Sequence, residues 1–555
     1  FVAILAFMGF WGRLGESWRA FAQAFKSREL RHLQLAGAGS TLAIWAYSIA
    51  IAVYAYRADG PKAVGIVLFV RWSLAAVAAP WLALLADRVS RRRVMLTVDA
   101  SRAALVVGMT LIAATGGPSL VAYVLAVLVS VISTAFGPAE AALLPSLATT
   151  PEELTASNLA LNTISGVGMF AGPAIAGVVL AFSGPTLVFA LTAAAYVWSG
   201  YFVFGLSPDK PPEATGDSAI LPQLLAGFRA IGADRRLQVV IGLVGAQMFV
   251  LGAVEVVIVV DAIRVLHAGN AGVGWLNTGL GIGGLLAGLL GVALAARKRL
   301  AGDFRLGLVV FGAALAVLAA TTNFTVALVL FGVMGAGSTL VDVTGMTLLQ
   351  RAAPAEVVGR VFGVLQSTML AMVALGSLVA PLVIAAVGAR ATFVAMGVLL
   401  PIAVVPTWRR LTEIDATARV ATEPLELLRA IPIFAPLPAP VLERLASVAA
   451  EVRALAGSAV LEQGQAGDRF YVIAEGTAAI EIDGAQTSTV GPGGFFGEIA
   501  LLRDIPRTAT VRALEDLRLY AVERDDFIAA VTGHAPSREA ADSLVASRLL
   551  VGATA

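Results

Sequence analysis

The chain has 555 residues, 58% of them hydrophobic and 14% charged, with a formal net charge of +2. Soluble proteins carry about 25% charged residues, so most of this chain does not face water, and so small a net charge argues against nucleic acid as a partner. There is no cysteine, and the three histidines, His32, His267 and His534, are scattered, which excludes disulfides, thiolate metal sites and a cysteine nucleophile and leaves no histidine cluster for a metal.

The sequence starts at Phe1 rather than Met, so its natural beginning is expected upstream. The apolar run 1–10 is too short to span a bilayer. Residues 1–34 are read as an N-terminal amphipathic, interfacial segment. From Leu35 onward, apolar runs of about 20 residues, the length a span needs, recur with short loops. They lie near 35–56, 63–85, 94–114, 119–140, 157–182 and 186–206, then near 237–260, 271–296, 305–321, 324–346, 358–387 and 391–408. The expected fold is an all-α membrane bundle of about 12 transmembrane helices. Its two six-helix halves are 35–206 and 237–410, joined by a polar, proline-bearing cytoplasmic linker, 207–236.

Basic residues set the orientation. Arg88, Arg91, Arg92 and Arg93 follow span two; Lys210, Arg229, Arg235 and Arg236 follow span six; Arg297, Lys298 and Arg299 follow span eight; Arg351 follows span ten; Arg409 and Arg410 follow span twelve. The opposite loops hold only Arg57, Lys62, Arg264 and Arg390. The positive-inside rule then places both termini in the cytoplasm, in a cell (inner) membrane. The halves also look like a repeat, since PEELTASNLALNTISGVGMFAGP from Pro151 and PAEVVGRVFGVLQSTMLAM from Pro354 each lead a Pro/Glu turn into a glycine-bearing span. Paired repeats put a substrate path at the midplane, although two apolar helices can also look alike by composition.

Ala83 to Arg93, ALLADRVSRRR, carries Asp87, Arg88, Arg91 and Arg92 in a spacing that resembles the loop between spans two and three of the major facilitator superfamily, G-x-x-x-D-R-x-G-R-[KR]. Ala83 and Ser90 replace its glycines. The resemblance implies a charge latch that locks one conformation; the plainer reading is a solvated basic loop. Gly168 to Gly177, GMFAGPAIAG, resembles the span-five motif of exporters in that superfamily, with Ala176 replacing one glycine. Small residues there let helices approach closely.

A charge near the bilayer centre costs about 2.5–3.5 kcal/mol on insertion scales, so retained ones are candidates for coupling or substrate contact. These are Arg71, Asp99, Arg102, Glu255 and Asp342, with Glu140 at the end of span four and Asp261 near the outer end of span seven. Glu255 and Asp342 are the expected proton carriers. Asp99 and Arg102, one helical turn apart, are expected to pair and to brace the Asp87 loop.

After Arg410 the composition changes. Residues 411–422 read as a short linker, and 423–555 as a small soluble β-roll with flanking helices. Short alternating runs separated by glycines fill its middle. The stretch Phe495 to Val511, FFGEIALLRDIPRTATV, is dense in chemistry. Gly497 lets backbone approach a ligand, and Glu498 can accept from a sugar hydroxyl. The amides of Ile499 and Ala500 would open a short helix that favours phosphate. Arg507 can pair with a phosphate in bidentate fashion, with the Thr508 hydroxyl beside it. A surface salt bridge between Glu498 and Arg507 is the plain alternative.

Phe496, Gly497, Glu498, Ala500, Arg507, Thr508 and Ala509 fit the pattern FGE-x-A-L then R-[ST]-A. The stretch thus resembles the phosphate-binding cassette of the cyclic-nucleotide-binding domains in protein kinase A and catabolite activator protein. Gly464, Gly467, Asp468 and Gly476 match that family's turn positions, and Ser537 to Val551 its lid helix, with Arg548 a candidate to stack on the base. The resemblance implies that Glu498 holds the ribose 2′-hydroxyl and that Arg507 with the two amides holds the cyclic phosphate. Thr508 suits cGMP as well as cAMP; cAMP is the expected ligand. Together the resemblances imply a secondary transporter, export-type and proton-coupled, regulated by cytoplasmic cyclic nucleotide. The substrate is expected to be a small lipophilic or amphipathic molecule. A non-transporting receptor on a transporter fold stays open, and no nucleophile, base and orienter trio points to an enzyme.

Overall fold

The computed structural model describes residues 25–148, 150–209, 228–229, 231–232, 234–294, 300–352, 358–419, 422–532 and 534–552. It divides into two units, Phe1–Thr412 and Glu413–Ala555. Most of the linker read at 207–236, and the Pro354 turn of the second repeat segment, lie outside the described residues.

The first unit is helical: α1 (Arg28–Arg88), α2 (Arg91–Thr115), α3 (Ser119–Ser133), α4 (Phe136–Leu147), α5 (Pro151–Phe182), α6 (Pro185–Phe204), α7 (Arg235–Val260, with a π-turn Asp261–Val265), α8 (Gly269–Leu294), α9 (Leu300–Leu318), α10 (Phe324–Ala352) and α11 (Val358–Arg419). Ten helical stretches among the described residues are long and apolar enough to cross a membrane. Two of them, in α1 and α11, are double length. A straight helix of 55 residues would measure about 80 Å against a hydrocarbon core of about 30 Å. Each turns at one glycine in the left-handed region, Gly60 (φ 78°) and Gly388 (φ 83°), and so counts for two crossings, twelve in all.

Several boundaries shift from the sequence reading for local reasons. α1 begins at Arg28, and Leu30 and Leu33 are fully buried against Val94, Met95, Phe136 and Leu143. Leu30 and Leu33, read with the N-terminal segment, are therefore part of the bundle core, while Arg28 and Arg31 stay exposed. The fourth span breaks at Thr134, whose hydroxyl donates back to the Val131 carbonyl (2.7 Å), and then resumes to Leu147. Pro138 is tolerated because it falls in the first turn of α4, where no amide donor is needed. Glu140 thus lies within the span rather than at its end. α11 runs on to Arg419, so most of the linker read at 411–422 is helical; LTEIDATAR contains no glycine or proline to stop it.

Small residues set how close the helices come. A Cβ on Gly172 would lie 2.5 Å from the Trp45 Cβ, so α5 presses on the first half of α1. Further along α5, the backbone of Gly177 meets that of Gly274 on α8, where an added Cβ would come within 2.4 Å. The span-five glycines therefore serve one neighbour in their own half and one in the other.

The second unit opens with α12 (Thr422–Ala430) and α13 (Ala439–Val448). Eight strands follow: β1 (Ala450–Ala454), β2 (Ala459–Leu461), β3 (Arg469–Glu475), β4 (Ala478–Ile482), β5 (Ala485–Val490), β6 (Phe495–Phe496), β7 (Thr510–Ala513) and β8 (Leu517–Glu523). The short α14 (Glu498–Arg503) sits between β6 and β7, and α15 (Arg524–Thr532) and α16 (Ala535–Gly552) close the chain. The strands make two four-stranded antiparallel sheets, ordered β1-β8-β3-β6 and β2-β7-β4-β5. β3 explains its own apolar run FYVI, because both of its faces are buried. Phe470 and Val472 face the helices, where Phe470 stacks on Phe527 (4.8 Å) and meets Phe434 edge-on (5.4 Å). Tyr471 and Ile473 face the interior between the sheets.

Candidate functional site

The cassette is built where β6 ends. Tyr471 pairs with Phe496 in register, and their rings stack at 5.4 Å. Phe496 is therefore a core group of the roll: its ring anchors the strand that delivers Gly497. Gly497 then takes φ 93° and starts α14. An L residue is strained in that conformation, and a Cβ there would sit 2.8 Å from Arg507 Nη1 and 3.0 Å from the Arg469 carbonyl oxygen.

Arg507 and Glu498, from the two ends of the cassette, are both buried. Arg507 Nη1 donates to the Gly497 carbonyl (2.9 Å); Nη2 donates to the Arg469 carbonyl (2.7 Å) and to Asp468 Oδ1 (3.0 Å). The backbone around it is equally fixed. The Arg507 amide donates to the Gln465 carbonyl, and the Gly464 amide donates to the Arg507 carbonyl, both at 2.8 Å. Ala500 is buried against Gly467, where a Cβ would come within 2.9 Å of it, so the first turn of α14 lies flat on the turn that carries Asp468. Ile499, Thr508 and Ala509 are half-buried at the rim. The side chain of Arg548 lies outside the described residues.

Two supports were not legible in the motif. Arg524, at the start of α15, donates to the Gly467 carbonyl (3.2 Å) and to Asp504 (2.5 Å), and its amide donates to the Asp468 carbonyl (2.8 Å). It ties both sides of the cassette to the helix behind it. Arg518 on β8 forks onto Glu423 of α12 (2.6 and 2.8 Å) and reaches Glu475 (2.6 Å), while the Tyr520 hydroxyl donates to Glu423 (2.9 Å). Arg518 and then Tyr520 hold the Glu423 carboxyl down at about 2. No local pattern announces either contact, since the partners stand far apart in sequence.

In the helical unit, the side chains of Asp87 and Arg88 lie outside the described residues. The other latch residues have partners that the loop motif does not name. Arg92 donates to the carbonyls of Val203 and Phe204 (3.3 and 2.6 Å) and lies over the Phe204 ring. Asp209, just past span six, accepts from Ser90 Oγ (2.5 Å) and from the amides of Arg91 and Arg92 (2.7 and 3.2 Å). It caps α2 from outside the motif. Burial pushes the Asp209 carboxyl up, but those hydrogen bonds outweigh it and leave it below the usual carboxylate range. Ser90, where the family pattern has glycine, supplies one of these bonds.

Asp99 and Arg102 form a buried ion pair. Asp99 also accepts from Ser199 (2.7 Å), and Arg102 donates to Ser40 (3.1 Å) between the rings of Phe136 and Tyr196. Arg71, buried, donates to Ser130 (2.7 Å), and the indole of Trp72 donates to Glu255 (3.1 Å), joining the first half of the bundle to the second. Asp342 lies on α10 with its side chain accessible along the helix face.

In comparisons with known proteins, residues 24–431 match the family described as transmembrane secretion effector, and residues 451–534 match the family described as cyclic nucleotide-binding domain. Neither is an enzyme family. Among solved structures, the chain is similar to the regulatory domain of protein kinase A from Toxoplasma gondii, crystallised with cAMP: 30% identity over 20% of this chain and 44% of that one, TM-score 0.20. It is similar also to cAMP-bound PfPKA-R (141-441), at 20% identity over 29% of this chain and 51% of that one, TM-score 0.23. A third is the regulatory subunit of a cAMP-independent protein kinase A from Trypanosoma cruzi bound to guanosine, at 24% identity over 21% and 43%, TM-score 0.21. The chain spans about half the length of these proteins or less.

Proposed function

We propose, from the premise that the chain belongs to the transmembrane secretion effector family of the major facilitator superfamily and carries a cyclic nucleotide-binding domain, that it is an export-type secondary transporter whose cycle is biased by cytoplasmic cAMP. The observation that carries the regulatory half is the setting of Arg507. It is a buried guanidinium whose bonds go to two carbonyls and to one exposed acid, Asp468. A cyclic phosphate entering at the start of α14 would take over the donors that Asp468 now holds, at lower cost than breaking a buried pair. The buried Glu498 is suited to the ribose 2′-hydroxyl, and the amides of Ile499 and Ala500 to the phosphate. cGMP remains the competing ligand because Thr508 stands at the rim.

For coupling, the ligand need only bind the two global states with different affinity. The Trp72–Glu255 hydrogen bond supports Glu255 as the proton-linked residue, because a protonated carboxyl is a poorer acceptor for the indole that bridges the halves. The positive-inside reading supports cytoplasmic termini in a cell membrane. Protease access to the roll in right-side-out against inside-out vesicles checks that orientation.

The decisive experiment is calorimetric titration of the full chain with cAMP and cGMP, paired with a conformational reporter across the two halves. Wild type binds cAMP and shifts the reporter. Arg507→Ala loses about 100-fold in affinity, the scale of two charge-assisted hydrogen bonds, and no longer shifts it. Unchanged binding in Arg507→Ala would remove the proposal's basis. Binding without any shift or flux would favour a receptor that no longer transports.

A further inference from the structure

A cavity of about 210 Å³ opens between α1, α4 and α5. Gly37 and Thr41 line it from α1, Glu140 from α4, and Asn158, Asn162 and Ser165 from α5. The three α5 residues follow at intervals of four and three, which puts them in one stripe along the helix. Among the described lining residues Glu140 alone is charged. Its Oε1 is buried, has no hydrogen-bond partner among the described residues, and comes so near α1 that a Cβ on Gly37 would lie 2.5 Å away. Glycine at that position is what makes room for the carboxylate. The nearby Arg102 does not serve it with Nη2, which is committed to Asp99 and Ser40.

We propose that this chamber is the binding site for a cationic head group, an ammonium or a guanidinium, carried by the transported molecule. A buried carboxylate oxygen without a donor is costly, and a ligand N–H⁺ supplies both the charge and the hydrogen bond. The chamber thus offers one buried carboxylate oxygen to a donor-bearing ligand. An anion would be repelled by Glu140. A divalent metal would want several oxyanion ligands, and here there is one. Drug-sized sites run to about 300–1,000 Å³, so the chamber fits a head group with the remainder of the molecule outside it.

The assignment rests on the transporter reading and names its substrate class, so binding is measured apart from transport. The full chain in detergent is titrated calorimetrically with three probes of matched shape: phenethylamine, 3-phenylpropionate and 2-phenylethanol. Only the amine is expected to bind saturably. Glu140→Gln is expected to weaken it by about tenfold or more, the scale of one hydrogen bond to a charged group, and Glu140→Asp to keep part of the affinity. Binding of cAMP, measured in the same samples, reports a folded roll. Equal amine binding by wild type and Glu140→Gln, similar binding of all three probes, or no saturable amine binding would each overturn the assignment. Should Glu140→Gln not fold, Asn162→Leu takes its place, with weakened amine binding expected and unchanged binding overturning it. Loss of the cAMP response with the amine site intact would count against the regulatory reading alone.

Discussion

Arg102 in the helical unit and Arg507 in the roll have side chains equally buried, each 2% exposed, yet they are held in opposite ways. Arg102 faces an acid that is 1% exposed, with a serine and two aromatic rings around it. Its charge is cancelled inside the protein. Arg507 faces an acid that is 66% exposed, and its other bonds go to backbone carbonyls. Its charge is cancelled from solvent. The difference teaches that burial of an arginine does not mark a ligand site. What marks it is a partner that water can replace, because an incoming phosphate can replace it too.

The largest effect should come from breaking the closed pair. Arg102→Ala leaves Asp99 buried without its cation, at about 3–5 kcal/mol, and should abolish a monodisperse folded bundle in size-exclusion chromatography. The double variant Asp99→Asn/Arg102→Gln should recover much of the loss. Arg507→Ala comes next: about 100-fold in cAMP affinity, with the melting temperature of the unliganded protein falling only slightly, since the acid it leaves behind is exposed. If this substitution proved as destabilising as Arg102→Ala, the two sites would not differ in kind.

Gly497→Ala should follow. A left-handed alanine costs about 1–2 kcal/mol, and its methyl would press on Arg507 Nη1, so cAMP affinity should fall about tenfold while the roll still melts cooperatively. Asp468→Ala should have a small effect on stability, under about 1 kcal/mol, as read by thermal unfolding without ligand. A larger loss would mean that Asp468 is structural rather than displaceable.

The Glu423–Arg518 fork sharpens the contrast through pH. The folded carboxyl titrates at about 2, below its ordinary 4.5. Its contribution is therefore fully present above pH 4.5 and is lost as the pH falls toward 2. Melts of wild type and Glu423→Gln should differ at pH 6 and converge near pH 2. A constant difference would show that the carboxylate's charge is not what stabilises the contact.

Much of the nucleotide site could be read from the chain because its parts are consecutive. Gly497, Glu498 and the first turn of α14 are adjacent, and Arg507 follows within one short loop, so a single pattern captures them. A motif records which residue recurs, not which way it faces; only the register Tyr471↔Phe496 shows that the Phe496 ring belongs to the core. An acid inside an apolar run is a notable residue in sequence, but whether neighbouring helices enclose it depends on the rotation of α10.

The chain by itself determined the two-part composition, the recurring apolar spans and the cassette. Each follows from short-range rules: about 20 apolar residues to cross a bilayer, alternation for buried strands, and glycine where φ is positive. Tertiary structure alone decided that Asp209 caps α2, that Arg524 braces the cassette, that Trp72 reaches Glu255, and that Gly37 makes room for the Glu140 carboxylate. Those pairings join residues tens to hundreds of positions apart. Hydrogen bonds and close contacts depend on distances of a few ångströms in space, which spacing along the chain does not encode.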